Sequence, residues 1–62
     1  MKVKIIIHTD LTEAMQNAGQ VATALRQLAT DLHSSGALFT GKRLAIYAPD
    51  ETEVGHLKVK EF

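Results

Sequence analysis

Along this 62-residue chain the spacing of apolar residues changes twice, and each change marks an element. From Lys2 to Thr9 β-branched and polar residues nearly alternate, which predicts a strand. Val3, Ile5 and Ile7 share one of its faces, and Lys2, Lys4, Ile6 and His8 share the other. Ile6 breaks the polar row. From Ala18 to Ser34 the apolar spacing widens: Val21, Leu25, Leu28 and Leu32 form a stripe with Ala22, Ala24 and Ala29 beside it. That period predicts one amphipathic helix, with Arg26, Gln27, Thr30 and Asp31 toward water. Asn17 followed by Gln20 is a helix start of the capping-box kind, and Asp10 followed by Glu13 offers an earlier one. Gly36 suits the position after the helix, where positive φ is usual.

The alternation then returns. Arg43 to Ala48 reads as a second strand with Leu44, Ile46 and Ala48 inward. Pro49-Asp50-Glu51-Thr52 is a turn, since proline fixes the first corner and aspartate favours the bend. Val54 to Lys60 is the return strand with Leu57 and Val59 inward, and Gly55 marks a bulge that resets the phase relative to Val54. Ala37 to Lys42 connects helix to strand, its Leu38 and Phe39 expected as a lid on one end of the core. The last two strands make an antiparallel hairpin, and a right-handed crossover sets the first strand parallel to the second. The gap between those two takes the third strand. The fold class is therefore α+β, a single β-α-β-β domain over residues 1–62, with one helix on a three-stranded antiparallel sheet of order 1-3-2. The helix covers one face and leaves the other open.

Composition narrows the classes. A chain this short buries about 60% of its unfolded surface, so a disulfide, a metal or a partner subunit usually supports it. Cysteine is absent, which excludes disulfides and thiolate sites and leaves a cytosolic location as the expectation. The longest apolar run, Ile5 to Ile7, is too short to cross a bilayer. Seven Lys and Arg balance seven Asp and Glu, so net charge announces no partner.

Chemistry is sparse. Ser34 and Ser35 lack a nucleophile elbow and sit at a helix end, and Gly36, Gly41 and Gly55 form no phosphate loop. His8, His33 and His56 lack zinc-ligand spacing, although His8 and His56 fall on the same open face. Neither an enzyme nor a cofactor is expected. Position on the sheet is more informative than motif: Lys2, Lys4, Ile6, His8, Arg43, Tyr47, His56, Lys58 and Lys60 all fall on the open face. Five of the seven basic residues are there, a candidate surface for a partner. A basic sheet face with an aromatic also suits single-stranded nucleic acid. Ile6 and Tyr47 on that face, together with two free strand edges, lead to the expectation of a homodimer.

The succession Thr9-Asp10, Ala14-Met15, the Val21-Ala22-x-x-Leu25-x-x-Leu28-Ala29-x-x-Leu32 stripe, Gly36, and Asp50-x-x-x-Val54-Gly55 resembles a family of very small phage and mobile-element proteins. That family has Asn-Gly where this chain has Glu51-Thr52, and a shorter connector than Ala37 to Arg43. The resemblance implies a non-enzymatic module that inhibits a host protein in the bacterial cytoplasm, as anti-CRISPR and other anti-defence proteins do. It implies no site residue.

Overall fold

The computed structural model describes residues 1–61. In chain order they form β1 (Lys2–Ile7), a 3₁₀ turn (Glu13–Met15), α1 (Ala18–Ser35), β2 (Arg43–Tyr47) and β3 (Glu53–Lys60). The sheet order is β1-β3-β2, and both pairs are antiparallel. This is the expected β-α-β-β arrangement.

Local chemistry explains the element ends. The Asn17 side chain accepts from the Gln20 N–H, and the Gln20 side chain accepts from the backbone of Asn17. Two of the four orphan N–H groups at the start of α1 are thereby satisfied. The earlier start is a separate single 3₁₀ turn whose cap is Thr12 rather than Asp10. At the other end Gly36 takes φ 78° and its N–H returns to the His33 carbonyl.

The bulge falls where Gly55 predicted it. Ile46 pairs with Gly55 but Tyr47 pairs with Glu53, leaving Val54 as the extra residue. Val54 and Leu57 therefore both point into the core although three positions separate them. A Cβ on Gly55 would stand 1.9 Å from the Ile6 carbonyl oxygen, so only glycine lets β1 approach.

The core is Met15, Ala24, Leu28, Ile46, Ala48, Val54, Leu57 and Val59, with Ile7, Val21, Leu32 and Leu44 packed against it. Three expectations are corrected here, and two of them share a cause. The helix packs principally on β2, an edge strand, rather than centrally. Val3 and Ile5 pair with buried Val59 and Leu57, so they lie on the helix side, yet they remain 43% and 48% exposed. Leu25, on the flank of α1 away from β2, is likewise 41% exposed, and the buried line of the helix runs through Ala24 and Leu28.

The third correction concerns the connector. Leu38 and Phe39 are exposed and form no lid. The connector contributes Lys42 instead, which is only 7% exposed. Its ammonium donates to Ser35 Oγ and the Ala37 carbonyl, and stands 5.6 Å from the Phe39 ring centroid. A cation there satisfies acceptors at the negative end of the helix dipole.

Candidate interaction surface

Cross-strand partners share a face, so the pairing register composes the open face row by row. Lys2 is opposite Lys60, and Lys4 is opposite Lys58, which is itself opposite Arg43 on β2. The next row is Ile6, His56 and Ala45, each half-buried. Beyond it stand Tyr47 and Glu53, with Tyr47 45% exposed. His8 lies just past β1, exposed, and donates its N–H to the Val54 carbonyl at 2.7 Å. The register sets eight of the nine residues expected on this face there; His8 lies past its paired residues.

The register adds an arrangement that counting cations did not disclose. Lys2, Lys4, Lys58 and Lys60 occupy the corners of a rectangle, about 5 Å across the strands and about 7 Å along them at the Cβ level. Like charges directly opposite one another in a sheet are destabilising. Among the described residues no carboxylate pairs with any of the four. Arg43 is set apart. Its Nη2 reaches along β2 past Ala45 to Glu53 Oε2 at 3.4 Å, the only ion pair among the described residues. Glu53 owes its place on this face to the bulge.

Charge is also sorted along the strands. Lys2, Lys4, Lys42, Arg43, Lys58 and Lys60 lie toward one end of the sheet, the end where α1 finishes. Asp10, Glu13, Asp50, Glu51 and Glu53 lie toward the other, where α1 begins; Asp31, late in α1, and Glu61, after Lys60, are the acids outside this division. Both groups complement the helix dipole.

At the acidic end the Thr12 hydroxyl donates to Asp50 Oδ2, and the Thr52 N–H donates to Asp50 Oδ1 at 3.0 Å. These bonds, Thr12's first, hold the Asp50 carboxyl below its ordinary value of 3.8. They fasten the 3₁₀ turn to the β2–β3 hairpin. Glu51 in that hairpin adopts φ 70°, the left-handed position of a three-residue hairpin loop that glycine usually fills.

Among the described residues there is no group of three or more His, Asp or Glu placed to hold a metal ion. Nor is any helix among them long and apolar enough to cross a membrane. Fold and surface together define a small α+β domain with a helix-covered face and an open basic one. No known protein family, curated protein or solved structure matches the chain.

Proposed function

We propose that this protein is a non-enzymatic interaction module whose open sheet face docks on an anionic surface of a protein partner. The observation behind this reading is the lysine rectangle. Four ammonium groups in directly opposed pairs, with no carboxylate among the described residues to neutralise them, lower the stability of a small domain. Carboxylates from a partner convert that repulsion into attraction, with charge complementarity setting on-rate and specificity. The narrower expectation, inhibition of a bacterial host's defence protein, rests on the family resemblance and draws on no residue of this face.

A second reading, single-stranded nucleic acid, is favoured by Tyr47 and His56 beside the same cations. Their rings give bases a stacking platform while lysines take phosphates.

Fluorescence anisotropy separates the two. The probes are a labelled polyglutamate peptide and a labelled single-stranded oligonucleotide, each titrated at low and moderate salt. Binding of either probe is expected to weaken with salt, and Lys4→Glu with Lys58→Glu is expected to abolish it. Preference for the peptide supports the protein reading, and preference for the oligonucleotide supports the second. Absence of binding to both at low salt removes the open face as a recognition surface.

A further inference from the structure

We propose that the exposed edge of β2 pairs with the same edge of a second copy, joining two sheets into one about a two-fold axis through Ala45. This edge borders the open face and shares Arg43 and Tyr47 with it, but the pairing does not rest on that reading.

The edge is free because β2 ends the β1-β3-β2 order. The Val59 N–H donates to the Lys42 carbonyl, and Leu44 and Ile46 pair with β3 in step with it. By alternation Arg43, Ala45 and Tyr47 direct their N–H and C=O groups away from β3. Antiparallel pairing centred on Ala45 joins each Ala45 to its copy and each Arg43 to the second copy's Tyr47. On the open face that sets a guanidinium against an aromatic ring, a favourable contact in both halves of the symmetric interface.

A groove accompanies the edge. Between α1 and β2 lies a cavity of about 570 Å³, lined by Thr23, Gln27 and Asp31 of the helix and by Tyr47, Pro49 and Glu51 of the hairpin. The two-fold brings the second copy's α1 alongside this groove, antiparallel to the first helix.

Charge favours this occupant. Rotation about the axis sets the acidic end of one copy beside the basic end of the other, so Asp50 and Glu51 approach the second copy's Lys42–Arg43 segment. The competing β1 edge is guarded in one of its registers. Two β1 strands paired about Val3 would oppose Lys2 to the second copy's Lys4, the device that keeps edges apart, whereas pairing about Ile5 would set Lys4 against Ile6. On β2 the one edge cation, Arg43, is already paired with Glu53.

The test is molecular mass by light scattering after size exclusion, from low micromolar to near-millimolar concentration. The wild type is expected near twice the 6.8 kDa of one chain. Ala45→Pro removes an N–H that bonds nothing within the chain and is expected to weaken the dimer by roughly tenfold or more. Ile5→Lys, on the exposed aliphatic row of β1, is expected to leave the dimer intact. Contacts between Arg43 of one chain and Tyr47 of another, read by isotope-filtered NMR on mixed wild-type chains, decide the matter should Ala45→Pro not fold. A wild-type mass of one chain throughout, a dimer indifferent to Ala45→Pro, or one dissolved by Ile5→Lys overturns the proposal.

Discussion

Individual residues in this domain act by what they satisfy or exclude. Lys42 is the clearest case, a buried cation in a connector that composition marks only as polar. Its acceptors are a hydroxyl and a carbonyl at a helix end, so it replaces a cap rather than forming an ion pair. Gly55 acts by having no side chain, since the space a Cβ would take belongs to the β1 backbone. Asp50 ties two loops together, and its bonding makes a pH dependence. A carboxyl held below its ordinary value stabilises the fold above the unfolded-state value near 3.8. That contribution fades as pH falls through the lower folded-state value. Thr12→Val removes the leading donor, so the variant is expected to unfold at a higher pH than the wild type on acidification. Circular dichroism across an acid titration reads the midpoint, and coincident midpoints for the two proteins would discard the assignment.

Among elements, the offset of α1 toward β2 has the widest effect. It splits the leucine stripe, burying Leu28 while Leu25 stays 41% exposed. Leu28→Ala is expected to cost about 2–5 kcal/mol, and Leu25→Ala about 1–2 kcal/mol because fewer of its carbons are removed from water. A domain of this length has on the order of 3–9 kcal/mol in total. Thermal melts should therefore show Leu28→Ala close to unfolding at ordinary temperature and Leu25→Ala still cooperative; the reverse order would refute the offset.

That contrast also marks what was legible in the sequence. The Asn17 cap, the Gly36 stop and the Gly55 bulge were readable because each depends on chemistry within a few residues. The open-face set was readable because alternation and a hairpin register generate it. Periodicity shows that a helix has an apolar side but not which strand that side meets. The exposure of Val3, Ile5 and Leu25 was therefore hidden, as was the groove beside Asp31. The Arg43–Glu53 pair was hidden too, since it depends on how far a long side chain reaches along a strand.

For the whole molecule, length and girth differ by about a factor of two: the principal extents are 33, 22 and 16 Å. Helix and sheet both run between a basic end and an acidic end, and the formal net charge at pH 7 is zero. A molecule so built has almost no monopole and a large permanent dipole moment. Near its isoelectric point of about 6.8 it is therefore expected to adhere at low salt to both a cation exchanger and an anion exchanger, presenting opposite ends to each. Screening shortens the reach of either end to about 10 Å at 0.1 M salt, so modest salt should elute it from both resins. Flow-through on both columns at low ionic strength would mean that the charges do not separate as described. In the proposed dimer the two-fold about Ala45 would cancel the dipole components lying in the sheet. Retention should then weaken at loading concentrations where copies associate, and return for Ala45→Pro.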